Sequence, residues 1–128
     1  MLYLKFFKKD FMCFDESFGS TIEARLIPVG ARRLRWNTYR WRFEDEAEWS
    51  PGEPMPEGWV PAIDFDIKLQ GRTYRLTIHS DAAVRDLIPY AESLKRNGRH
   101  IKNVITQITI TSRRKVNPSV RFEMVRNA

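Results

Sequence analysis

Residues 31–43 hold the densest mixture of arginines and aromatic residues in the chain. Arginine neutralises phosphate and lies flat on rings, and tryptophan and tyrosine offer surfaces on which bases stack. This composition is typical of a protein that follows a nucleic-acid strand. A strand with buried rings on one face and solvated arginines on the other explains the composition equally well. The candidate binding residues are Arg32, Arg33, Arg35, Trp36, Tyr39, Arg40, Trp41 and Arg42.

Two further groups of cations extend this candidate surface. Each cation alone is explained by an ordinary solvated surface, so the prediction depends on the joint pattern. No predicted helix is basic enough to read a duplex, which favours single-stranded DNA or RNA as the partner. We therefore expect a non-enzymatic nucleic-acid-binding protein that has no catalytic residues, metal or cofactor. The added residues are Lys68, Arg72 and Arg75, beside the polar face of a predicted hairpin, and Arg113, Arg114 and Lys115 in a basic turn.

A metal-dependent nuclease is a second alternative. Asp64, Asp66 and Lys68 alternate along the polar face of one predicted strand. Two carboxylates can hold Mg²⁺, and a lysine can assist the attacking water or the phosphate. Any exposed strand shows the same alternation, however, and the Pro-Asp pair that usually precedes the acid-x-Lys pair is absent. The further acid of such a site would come from Glu44, Asp45, Glu46 or Glu48.

The other reactive side chains show no catalytic pattern. His79 and His100 lack the spacing of metal ligands, and we expect ordinary surface or edge histidines. Cys13 is the only cysteine, which excludes an internal disulfide and a cysteine-based zinc site. We expect its thiol to be half-buried and unreactive.

An acidic block interrupts this basic chain. Residues 44–66 contain eight acidic and no basic residues, whereas the whole chain has a net charge of +6. Three interpretations are open: a loop turned away from a polyanion, a counter-charge folded against the arginines, or a docking site for a protein. In the last case the protein is an interaction module, such as an inhibitor, adaptor or complex subunit. Its anchors would be Trp49 and Trp59, in the acidic, proline-rich loop predicted over residues 44–61, unless these rings pack back on the body.

The pattern of apolar residues predicts an α+β domain with mostly antiparallel strands and one helix, which is either kinked or divided into two short helices at Ile88-Pro89. The helix should begin with Ser80 as its cap, end near Gly98, and bury a stripe at 3-4-3 spacing. That stripe is Val84, Leu87, Ala91 and Leu94. Strands are predicted at residues 2–7, 21–29, 32–43, 63–69, 74–78, 104–112 and 120–124, with a β-bulge or sharp bend near residues 37–38. In two of these strands alternate residues share one face: Ile22, Ala24 and Leu26 in the second, and Val104, Thr106, Ile108 and Ile110 in the sixth.

From residue 32 onward, this order matches a five-stranded oligonucleotide-binding barrel whose helix lies between the third and fourth strands. Residues 1–30 would add two N-terminal strands, and residues 44–61 and 113–118 would form the binding loops. The expectation of a barrel depends on an architectural analogy alone, because other α+β sheets have the same order of elements.

Length and composition limit the class of protein. A chain of 128 residues with 42% hydrophobic content is expected to form one domain, residues 1–128. Its apolar runs are too short to span a membrane, and its start lacks a secretory pattern. We therefore expect a cytoplasmic protein without membrane contact. Exposed strand edges make a homo-oligomer possible.

Overall fold

The computed structural model of the chain is α+β, with mostly antiparallel strands and one helical segment. It describes residues 1–37, 39, 40, 42–111 and 119–128. The helical segment is a π-helical turn, Ala82–Leu87, followed directly by α1, Ile88–Arg96. A 3-10 turn, Ile101–Asn103, leads into the last hairpin. The strands are β1 Leu2–Phe7, β2 Asp10–Cys13, β3 Glu16–Ser17, β4 Thr21–Ala24, β5 Ile27–Asn37, β6 Arg42–Glu48, β7 Trp59–Leu69, β8 Arg72–His79, β9 Val104–Ile110 and β10 Val120–Asn127.

These strands form two sheets. The large sheet has the order β3-β2-β1-β8-β7-β5-β6, and the small sheet has the order β10-β9-β4. Within the described residues no pairing closes either sheet, so the expected barrel is not found. The N-terminal strands explain the difference. β1 pairs in parallel with β8, and β4 pairs with β9, so they occupy strand edges that closure would need.

One face of the large sheet is buried against the helical segment and the small sheet. Along β7, Phe65, Ile67 and Leu69 are buried and alternate with polar residues, which confirms the predicted central hairpin. The predicted inner face of β9 is confirmed as well, because Val104, Thr106, Ile108 and Ile110 are all buried. Among the described residues no helix has the length and apolar character needed to cross a bilayer.

Residues 32–43, predicted as one strand, instead include the end of β5, a turn and the start of β6. β5 ends at Asn37 and β6 begins at Arg42, so the change of frame marks a reversal of the chain, and a shift of register lies just before it, between Arg35 and Trp36. The prediction of a loop over residues 44–61 was wrong at both ends. Residues 42–48 are a strand despite their acidic composition, and β7 already includes Pro61. Pro61 is tolerated because pairing with β8 starts only at Ala62.

Residues 21–29 do not form one strand either. The chain crosses from the small sheet to the large sheet between β4 and β5, although Ile22, Ala24 and Leu26 are all buried as predicted.

The helical segment changes from a π-helical turn to α1 at Ile88, next to Pro89, but the predicted cap is not found. Pro89 lies in the first turn of α1, where its missing N–H costs no hydrogen bond. Ser80 does not cap the segment: its backbone has a φ of +60°, and its hydroxyl lies 2.8 Å from His79 Nδ1. Leu87 and Leu94 are buried, but Val84 is 47% exposed. The π-helical turn is wider than an α-turn, so the 3-4-3 spacing does not hold across it.

Candidate nucleic-acid interface

Arg32 is the most firmly held of the predicted binding residues. Its Nε and Nη2 donate to the two carboxylate oxygens of Asp64 at 2.9 and 3.2 Å, and its Nη1 donates to Glu46 at 2.6 Å. Thr77 donates its hydroxyl to the same Asp64 at 2.5 Å. The hydrogen bonds that Arg32 donates to Asp64 raise the pKa of Arg32 above its ordinary value. This guanidinium is satisfied within the protein, so a phosphate would have to displace a carboxylate.

Other arginines of the large sheet are matched in the same way. Arg75 Nε lies 2.7 Å from Asp66, and Arg35 lies 3.5 Å from both Glu44 and Asp45. The acidic block therefore serves as a counter-charge folded against the arginines, one of the three interpretations that the sequence left open.

The proposed nuclease carboxylates are the same Asp64 and Asp66, each held by an arginine. In the described parts of the chain, no group of three or more metal-ligating side chains comes together.

Trp59 lies under two arginines. The guanidinium carbon of Arg33 is 4.9 Å from the centre of the Trp59 ring, and that of Arg35 is 5.8 Å away. Both distances are in the range of cation–π attraction. Arg33 Nε is buried and has no hydrogen-bond partner among the described residues. These two arginines therefore cover the tryptophan that the protein-interaction hypothesis requires as an anchor.

The tip of the β5–β6 hairpin presents a different environment. The side chain of Tyr39 is 96% exposed, and Arg40 and Arg42 are exposed beside it. Within the described residues neither arginine forms an ion pair, whereas Arg32 and Arg35 do. At the base of the tip, the rings of Trp36 and Phe43 meet edge to face at 5.0 Å. We call residues 36–43 the hairpin tip. Trp41 lies outside the described residues.

Asn37 shapes this tip. Its side-chain oxygen accepts hydrogen bonds from the backbone N–H groups of Tyr39 and Arg40 at 2.9 and 3.0 Å. Its amide nitrogen donates to Glu44 at 2.6 Å. An asparagine that bonds to the backbone two and three residues ahead reverses the chain without glycine or proline. The turn therefore holds Tyr39 and Arg40 outward.

A shallow groove of about 520 Å³ runs from the hairpin tip across the open face of the large sheet. Its walls include Tyr3, Lys5, Phe43 and His79. His79 was predicted to be an ordinary surface or edge histidine. Its ring instead packs against Phe43 at 5.0 Å, and burial together with the charge of Arg32 lowers its pKa to about 4. His79 is thus neutral near pH 7 and adds no positive charge to the groove.

The other predicted residues that the structure describes are not brought to the hairpin tip. Lys68 and Arg72 are exposed next to the turn of the β7–β8 hairpin, and Arg72 lies on the same face of β8 as the buried Tyr74. Trp49 is buried, and its indole N–H donates to the carbonyl of Glu53 at 3.2 Å. The basic turn with Arg113, Arg114 and Lys115 lies outside the described residues.

The sequence reasoning missed one cationic cluster. Residues 95–102 hold four basic and no acidic residues, and in the described part of the chain these cations form no ion pair. Arg25 approaches them by donating to the carbonyl of Lys102 at 2.6 Å. A charge count over this window would have found the cluster. We call Lys95, Arg96, Arg99 and Lys102 the helix-end cluster.

Comparison of the chain with protein-family models, with curated proteins and with solved structures gives no match. We therefore infer the function from the residues of this chain and their geometry.

Proposed function

We propose that the protein binds single-stranded nucleic acid through the hairpin tip, without catalysing a reaction. The observation that carries this proposal is the side chain of Tyr39, which is 96% exposed and is followed in the chain by the exposed Arg40 and Arg42. A fully solvated aromatic ring offers a face to a base, and the flanking guanidinium groups can neutralise the adjoining phosphates.

The tip is a better phosphate site than the strands that lead to it. Arg32 and Arg35 already contact carboxylates, so a phosphate there would exchange one anion for another. Among the described residues no carboxylate contacts Arg40 or Arg42, so a phosphate there has no such carboxylate to displace, and it releases the counterions that surround the nucleic acid. The proposal therefore narrows the predicted surface to the tip and its aromatic base, Trp36 and Phe43.

A closed oligonucleotide-binding barrel is not needed for this function. An exposed hairpin with stacking and cationic side chains can hold a strand, and the groove beside it leads past Phe43 towards Tyr3 and Lys5. Bases stack on such rings regardless of their identity, so we expect little sequence preference.

The test is a titration with fluorescein-labelled dT15 and rU15, followed by anisotropy at 50 and 200 mM salt. Tyr39→Ala should weaken binding about 5- to 150-fold, the range measured for one stacked base. Arg40→Glu with Arg42→Glu should weaken binding at least about 30-fold and make the salt slope shallower by about 1.4, the value for two lost contacts to a single strand.

The matched control reverses two exposed cations elsewhere, Lys9→Glu with Arg96→Glu, and so changes the net charge equally. It should retain most of the affinity. An equal loss in this control would place the binding outside the hairpin tip. Absence of binding by the unaltered protein at 50 mM salt would remove the proposed function.

The protein-interaction alternative has less support from the geometry. Trp49 is buried and Trp59 is covered by two arginines, so neither ring is presented to a partner. What remains is the acidic strand β6, which forms one edge of the large sheet. Exposed charges on an edge strand discourage pairing with another strand. We therefore rank this alternative second.

A further inference from the structure

A second groove lies on the face of the large sheet opposite to His79. It has a volume of about 340 Å³ and runs between α1, β7 and the start of β5. Eight of its twelve lining residues are apolar, among them Ile63, Ile88 and Ala91, so its floor is apolar. Pockets for small molecules usually begin at about 300 Å³ and have mainly apolar walls.

One end of this groove is cationic. Ile88, Ala91, Glu92 and Lys95 follow one another along the same side of α1, at the i, i+3, i+4 and i+7 positions. Lys95 is therefore about 10 Å from Ile88 along the helix axis. Arg99 and His100 line the groove at the Lys95 end. Glu92 is the single acidic residue among the described lining residues, so the positive charges exceed it.

His100 adds a directed hydrogen-bond donor at this end. Its Nδ1 accepts a hydrogen bond from the backbone N–H of Lys102 at 3.2 Å. In the neutral ring the proton then resides on Nε2, which can donate to an anion. Three different groups at one end of an apolar groove can thus receive an acidic group.

We propose that this groove binds a small amphipathic anion, with its acidic group at Lys95, Arg99 and His100 and its apolar chain over Ile63 and Ile88. The span of about 10 Å from Ile88 to Lys95 corresponds to only about three residues of an extended peptide, whereas a short alkyl chain covers it. Charge at one end and an apolar floor along the rest match an acid that has one polar end. This site is separate from the hairpin tip and does not depend on nucleic-acid binding.

The experiment is calorimetry on the full chain with straight-chain carboxylates of six to twelve carbons, each below its micelle concentration. Each added methylene should tighten binding about fourfold, which corresponds to about 0.8 kcal/mol, until the chain fills the groove and the affinity levels off. Decanoate should bind at least about tenfold more tightly than decanol, because the alcohol lacks the charge.

Two variants locate the site. Arg99→Gln should weaken decanoate binding about tenfold and leave decanol unchanged, whereas Arg96→Gln is the matched control. Arg96 belongs to the same helix end but does not line the groove, so its loss should change neither ligand by more than about twofold. Ala91→Trp should fill the groove and abolish binding of both. If circular dichroism shows that Ala91→Trp is unfolded, Ala91→Leu takes its place with a smaller loss.

Three results would overturn the proposal. They are equal affinity for decanoate and decanol, equal losses in Arg96→Gln and Arg99→Gln, or a signal that appears only above the micelle concentration. The last result would point to a lipid surface rather than a single molecule.

Discussion

The molecule carries two groups of cations, which differ in whether the cations contact carboxylates. We call Arg32, Arg35 and Arg75 of the large sheet, which do contact carboxylates, the matched group. On the large sheet, Arg32 and Arg75 each contact a carboxylate from a neighbouring strand at 2.9 Å or less. In the helix-end cluster, within the described residues, no cation has an acidic partner. A high density of arginines in the sequence therefore does not measure the charge that is available to a ligand. Strand register determines which cations are neutralised, whereas the end of a helix leaves them exposed.

The largest expected effect concerns the centre of the matched group. Asp64→Ala should lower the free energy of unfolding by about 2 kcal/mol, because Arg32 and Thr77 lose a carboxylate that is only 13% exposed. Urea denaturation measures this loss. Glu46→Ala is the matched control, since Glu46 contacts the same arginine but is 65% exposed, and it should cost less than about 0.5 kcal/mol. Equal costs would mean that burial does not distinguish the two contacts.

His79 should make the stability of the sheet depend on pH. Its folded pKa is about 4, below the ordinary 6.5, so the unfolded chain takes up the proton first as the pH falls. The contribution is fully present above pH 6.5, is lost between pH 6.5 and 4, and changes no further below 4. Between pH 7 and 5 the loss should be about 2 kcal/mol. His79→Gln should remove this part of the pH dependence, and an unchanged profile in denaturation at each pH would contradict it.

The exposed ion pairs of Arg35 should contribute little to the free energy of unfolding. Arg35 lies 3.5 Å from two carboxylates and is 48% exposed. Arg35→Gln should therefore change the free energy of unfolding by less than about 0.5 kcal/mol, and 1 M salt should shrink the difference further. Thermal denaturation at two salt concentrations measures both effects. A loss as large as that of Asp64→Ala would show that the ion pairs of β6 act as one network.

The smallest effect is expected in the helix-end cluster. Arg99→Gln removes a cation that has no described acidic partner, so the stability should stay within about 0.3 kcal/mol of the unaltered protein. Urea denaturation under the conditions used for Asp64→Ala allows the free energies of unfolding of the two variants to be compared directly. A gain in stability above that limit would contradict this prediction and would show that repulsion among the four cations strains the helix end.

The sequence predicted local features better than pairings. The β7–β8 hairpin and the inner face of β9 were found because strict alternation over several residues is direct evidence of a half-buried strand. The turn after Asn37 was missed because it contains neither glycine nor proline. β6 was missed because its acidic residues look like a loop until Arg32 and Arg35 are placed opposite them.

For the candidate site, the sequence predicted which residue types are present but not which side chains are exposed. The sequence located arginines and aromatics in residues 31–43, but exposure separates Tyr39 and Arg40 from the ion-paired Arg32. That separation depends on β7, which brings Asp64 to Arg32 from 32 residues away. The second groove lies between α1 and β7, elements that are not adjacent in the chain, so a one-dimensional pattern could not reveal it.

The positions of β1 and β4 have a consequence for how the chain folds. Leu2 pairs with Tyr74 in parallel, and the hydroxyls of Thr21 and Thr109 meet across 88 residues. Neither N-terminal strand can find its sheet until most of the chain has been synthesised. Chains dominated by such distant pairings pay the entropy of closing long loops before the contacts reward it, and they fold in milliseconds to seconds. During synthesis the edges of β1 and β4 therefore remain open to other chains for longer than those of the β7–β8 hairpin.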